Sequence, residues 1–319
     1  TQRHEVLLSL HTLSAGHYTL TVTDDIHDTS GNPLDGDADG LPDGDYSRNF
    51  VMFPESLRNT TTTGDQTGIR LAEDAAGDVI MAWQSADADG SGIFARRYNA
   101  TQGTHESDFQ VGTEWQVNTT TTGDQGSPAV SSSVEGDFVI GWESPDADGT
   151  GVVARLFDSS LRTLTGELAL NSTTTGAQGN LSLAMGPLGS FVAAWESPDA
   201  DGTGIVAQRF NADGTAAGGE IGVNTTTTDD QADPVVAVDA LGRFVVAFSS
   251  GDDVIGRRFA ADGTALAGEF TVNTTTAGVQ GSPAVAITRD GQFVIGWEGP
   301  DADGNGIFAQ RYASDGSAT

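Results

Sequence analysis

The residues of this chain best suited to chemistry are alternating carboxylates. The run Asp35-Gly36-Asp37-Ala38-Asp39-Gly40-Leu41-Pro42-Asp43-Gly44-Asp45 gathers hard oxygens around a turn that Gly40 permits, which is how a loop holds calcium. Its twelfth position is Tyr46 rather than Glu, so a helix-flanked calcium hand is not expected, and a solvated acidic loop is the other reading. Shorter runs recur as Asp87 with Asp89, Asp146 with Asp148, Asp199 with Asp201 and Asp301 with Asp303, each pair followed by Gly. With two carboxylates apiece, these read first as hairpin turns shaped by Asp and Gly and second as weak calcium sites.

Other chemistries have less to work with. The sequence contains no Cys and no Lys, which removes thiolate and amine mechanisms. Its histidines are His4, His11, His17, His27 and His105, and none recurs along the chain. Carboxylate-based glycoside hydrolysis needs one centre that breaks the local symmetry, whereas these acids recur in loops. The expectation is therefore a protein that does not catalyse. A net charge of -31 over 319 residues repels nucleic acid and anionic membranes and suits cations, basic partners or solubility. No apolar stretch approaches the length of a membrane span, no signal-peptide pattern opens the sequence, and the chain reads as mature or as excised from something larger.

The elements that must carry these turns announce themselves by repetition. NTTTTGDQ begins at Asn59 and Asn118, and variants follow at Asn171, Asn224 and Asn273, spaced by 59, 53, 53 and 49 residues, each with Gln seven positions later. Within each copy come short apolar segments split by turn residues. One of them is apolar on both faces, as in Phe138-Val139-Ile140-Gly141-Trp142, and so must be covered on both faces. Trp83, Trp142, Trp195, Phe248 and Trp297 follow a small residue every time and read as core between neighbouring sheets. These features predict an all-β protein, a five-bladed β-propeller of four-stranded antiparallel blades over residues 54–319.

The fourth segment of a copy carries Glu and, four residues on, Asn. The fifth copy reaches Thr319 before its own, while Glu55-Ser56-Leu57-Arg58-Asn59 has the same spacing. Glu55, Leu57 and Asn59 are therefore expected to close the ring, or to contact a second subunit, and to leave no raw edge. Asn59, Asn118, Asn171, Asn224 and Asn273 all lie in N-x-Thr sequons, so they either brace the loop between blades through backbone hydrogen bonds or accept glycans. Alternation of strand direction predicts that the Thr-rich loops and the Asp-Gly turns share one face.

The repeat string resembles those of large bacterial surface proteins and exoproteins of planctomycete type over residues 55–319. That resemblance implies an adhesin-like or matrix-like extracellular role and no particular activity. Residues 1–53, with Ala15-Gly16-His17-Tyr18-Thr19-Leu20-Thr21-Val22 ahead of the acidic loop, are similar to the C-terminal half of bacterial immunoglobulin-like domains, and strands are expected at Val6–Leu10, Tyr18–Thr23 and Asn49–Phe53. So few strands form a poor core alone, which suggests completion by a second copy and head-to-tail filaments; a clipped tandem chain is the bland alternative. The leading expectation is a structural or adhesive cell-surface module that binds calcium and its own kind, with a multivalent carbohydrate-binding propeller as the alternative.

Overall fold

The computed structural model describes residues 16–22, 46–52, 59–98, 113–275 and 277–319. The acidic run 35–45 and residues 53–58 lie outside the described residues, as does the strand expected at Val6–Leu10. The chain divides into two units, one of residues 1–60 with 102–109 and one of the remainder. In the first, Gly16–Val22 pairs antiparallel with Tyr46–Met52, the second of these starting three residues earlier than the sequence suggested.

The second unit is all β, with five antiparallel sheets that follow the repeats. Sheet two shows the plan: Gly126–Ser132, Phe138–Pro145, Thr150–Phe157 and the short Leu168–Ala169, hydrogen-bonded in sequence order. Sheets one, three and four have the same four strands, whereas sheet five has three: Gly281–Ile287, Phe293–Pro300 and Asn305–Tyr312. The first strands of all five converge on one central channel, which makes the unit a five-bladed propeller. Those strands have Pro at positions 128, 234 and 283, tolerable where the N–H would face a channel instead of a neighbouring strand.

Four apolar clusters fill the gaps between consecutive sheets. In each, the aromatic face of one sheet packs on the small and β-branched face of the sheet before it: Phe138, Ile140 and Trp142 lie on Ile80, Ala82, Ile93 and Ala95, and Phe191 and Trp195 lie on Val139, Val152 and Ala154. Phe138 with Phe157, Phe191 with Phe210, Phe244 with Phe259 and Phe293 with Tyr312 stack across paired strands at 4.7–4.9 Å, each worth about 0.5–1.5 kcal/mol beyond burial. The small residue before the aromatic has a steric cause. A Cβ at Gly141 would stand 2.6 Å from Leu181 of the next sheet.

Among the described residues no cluster joins sheet five to sheet one. Ile307 of sheet five is 81 % exposed, and Ile69 and Leu71 of sheet one are 55 % and 57 % exposed. Of the segment Glu55–Asn59 expected to close the ring, residues 55–58 lie outside the described residues. Asn305–Tyr312 pairs with Phe293–Pro300, and no described strand lies along its other side.

Candidate functional site

In three of the repeats the Asn and the Gln meet inside the propeller. In sheets two to four the first residue of the pair is Asn118, Asn171 or Asn224, and its Nδ2 donates to Oε1 of Gln125, Gln178 or Gln231 at 2.7–2.9 Å and to a carbonyl two residues on. Asn273 instead donates to Asp253 and to the carbonyl of Thr275. Gln125, Gln178 and Gln231 are fully buried, so these amides hold the loops between sheets.

The Thr-rich loops also run against the Asp-Gly turns, as Gly176 N–H donating to Asp148 and Thr203 N–H donating to Asp230 show. Asp87, Asp146, Asp199 and Asp301 each accept from the N–H two residues on, that of Asp89, Asp148, Asp201 and Asp303. One oxygen of each first Asp is thus committed to shaping its turn, and among the described residues no three acidic or His side chains gather as a metal-holding group.

On this same face the channel opens, and there the repetition breaks. The residue two after each Gln is Gly68, Ser127, Asn180, Asp233 or Ser282, and all five have positive φ, between 48° and 64°. Each sits at a bulge where the first strand shifts register against the second. All five line the channel, a cavity of about 500 Å³, together with Arg70, Gln84, Leu181 and Ser182. Left-handed backbone at a non-Gly residue costs about 1–2 kcal/mol, and strain of this kind gathers at functional sites.

Beside the ring stand two carboxylates, each directly after the buried Trp of its second strand. Glu143 Oε1 accepts the N–H of Asn180 at 2.8 Å. Glu196 Oε1 accepts the Nδ2 of Asn180 at 2.7 Å and the N–H of Asp233 at 2.8 Å. Asn180 therefore spans both acids, and each keeps an Oε2 with no partner among the described residues. The corresponding residues of the other sheets are Gln84, Ser249 and Glu298. Backbone geometry repeats around the channel while side-chain chemistry does not.

The sequence reading passed over this centre, since it weighed carboxylates in loops and not the residue after the aromatic. The usable signal was there: that position runs Gln, Glu, Glu, Ser, Glu, and the position two after the repeat Gln runs Gly, Ser, Asn, Asp, Ser.

Outside the channel, Glu167 and Glu220 clasp the loops that enter their own sheets. Glu167 accepts from Thr119 and Thr120, and Glu220 from Ser172 and Thr173. Partial burial pulls both acids up, but these hydrogen bonds together outweigh it and leave both below the ordinary carboxylate range.

No protein-family model matches the sequence, and no curated protein matches it. Solved structures do share its fold. A protein of unknown function from Dyadobacter fermentans superposes with a TM-score of 0.55 at 11 % identity, covering 80 % of this chain and 81 % of its own. The polysaccharide lyase Uly1 gives 0.52 at 13 % identity, covering 91 % of this chain and 64 % of its own. An ulvan lyase of family PL25, bound to a GlcA(1-4)Rha3S saccharide, gives 0.51 at 8 % identity, covering 76 % and 66 %. The expectation that this chain does not catalyse is corrected by these neighbours, because the fold they share carries polysaccharide-cleaving enzymes. Its premise also fails here, since the symmetry does break at one centre. Among the described residues no helix is long and apolar enough to cross a membrane.

Proposed function

We propose that the chain is an extracellular carbohydrate-binding propeller that takes a neutral saccharide at the channel mouth. The observation that carries this reading is the ring Gly68, Ser127, Asn180, Asp233 and Ser282, five equivalent backbone positions with unlike side chains in one concave, polar place. Hydroxyls, an amide and carboxylates match the donors and acceptors of a sugar. Charge selects within that class. Among the described residues Arg70 is the one cation lining the channel, in a chain of net charge -31, so uronate and sulfate groups meet repulsion. Affinity electrophoresis against neutral and uronate-containing polysaccharides tests it. Retardation by a neutral polymer, lost in the Glu196→Gln, Asp233→Asn double variant, is expected; retardation by none, or retardation that survives the double variant, refutes it.

A second reading is favoured by the open Oε2 atoms of Glu143 and Glu196. Two carboxylates flanking a bound sugar are the apparatus of glycoside hydrolysis. In that case reducing ends appear when the bound polymer is incubated with the protein, and Glu143→Gln or Glu196→Gln stops their release without abolishing retardation.

A further inference from the structure

At the end of the strands opposite the Asp-Gly turns, the residue before the last of the third strand is Arg97, Leu156, Arg209, Arg258 or Arg311. Three of these guanidinium groups reach the following sheet: Arg97 donates to the carbonyl of Ser159, Arg209 to that of Ala261, and Arg258 to those of Ser314 and Asp315. What lies against the charge differs from sheet to sheet. In sheet one Arg97 forms ion pairs with Asp74 and Asp78, the two ends of the turn between the first and second strands. Register places Arg97 opposite Ile80 and Arg209 opposite Val192, so Gly186 and Ser190 stand in sheet three where Asp74 and Asp78 stand in sheet one. Sheet four has Asp239 and Arg243 there, paired with each other, and sheet five has Thr288 and Gln292, both bonded to Asp290. Sheet three alone sets its Arg against a residue with no side chain.

A cavity of about 280 Å³ opens at that place. Gly186, Ser190 and Arg209 line its polar end, and the buried Phe191 and Phe210 with the exposed Leu188 and Leu241 line the rest. No acidic residue is among the described residues that line it. Arg209 gives two of its five N–H groups to carbonyls, those of Ala261 and Ala217, and it forms no ion pair among the described residues; Asp262 feels its charge from outside the cavity. Leu188 and Leu241 are 82 % and 69 % exposed, and the equivalent turn residues of the other sheets are Ala76, Glu135 and Asp290. The exposed apolar turns thus belong to the two neighbouring sheets that flank the cavity.

We propose that this cavity binds a small amphipathic monocarboxylate, an acid whose apolar body is one short alkyl chain or one ring, on the order of ten non-hydrogen atoms in all. Its carboxylate takes, against Arg209, the place that Asp74 and Asp78 hold against Arg97, and a carboxylate suits a guanidinium better than any neutral group does. Its apolar body covers Leu188 and Leu241, which water otherwise meets. The channel is a different case, because there Arg70 shares the walls with Asp233, whereas at this cavity no lining acid competes for the cation. The two sites lie at opposite ends of the strands, and this one is independent of the saccharide reading.

Octanoate is the probe, titrated into the full chain by calorimetry with 1-octanol as the uncharged control. Saturable binding of octanoate at a single site is expected, with octanol at least about tenfold weaker. Gly186→Asp restores in sheet three the carboxylate that sheet one has. A Cβ there meets Ser190 and Val238 at 3.4–3.6 Å, ordinary contact, and the backbone φ is not positive, so this variant should fold with a Tm no lower than the parent's and should lose octanoate binding. Arg209→Gln should weaken octanoate about tenfold and leave octanol unchanged; circular dichroism checks its fold, and if it does not fold, Gly186→Asp and the octanol control decide. Absence of saturable octanoate binding overturns the proposal, as does equal binding of octanol or binding that survives Gly186→Asp. Capture of a peptide ending in a Leu carboxylate, with no binding of octanoate, would also overturn it and make the occupant a chain terminus.

Discussion

Sheets two and five share nearly the same sequence, FVIGWESP against FVIGWEGP in the second strand, yet they meet opposite surroundings. In sheet two Val139, Val152 and Ala154 are wholly buried under the aromatic face of sheet three. In sheet five the equivalent Val294 is half-buried, Ala309 is exposed and Ile307 is 81 % exposed. The contrast teaches that the motif encodes a sheet with two coverable faces, and that the neighbour, not the motif, decides whether both become core.

The sharpest way to break this comparison is a charge placed on each face. Val152→Asp buries an unpaired carboxylate and should cost about 4 kcal/mol or more in urea unfolding, whereas Ile307→Asp should stay within about 0.5 kcal/mol of the parent. Equal losses would mean that sheet five is covered as sheet two is. A smaller effect is expected from volume. Gly141→Val drives its side chain into Leu181 and Leu183 and should cost about 1–3 kcal/mol, but Gly296→Val, whose nearest neighbour is a carbonyl at 3.5 Å, should change Tm little.

The smallest effect is one of pH. The folded chain holds Glu167 and Glu220 below their ordinary value of 4.5, so folding favours the ionised form. Their contribution is complete above that value and is lost as pH falls through the lower folded one. Unfolding followed between pH 6 and pH 3 should lose part of its acid slope in the Glu167→Gln, Glu220→Gln variant, and an unchanged slope would show that these clasps add nothing.

Much of the fold was legible because the repeat is a physical statement. Five Gln residues seven positions after five Asn residues, with an aromatic always after a small residue, state sheet number and packing direction together. What the repeat hid was where copies differ. Asn180 and Asp233 look like ordinary turn residues until the bulges turn them toward the channel, and a bulge leaves no trace in an alternation pattern.

The bulged ring carries one consequence for how such a protein changes over time. Because the left-handed backbone at each of its five positions is set by the register of the strands behind it, the residue there can be exchanged among small polar types without disturbing the layers between sheets. The lumen can thus be rewritten one spoke at a time, its selectivity drifting while the wheel keeps its shape.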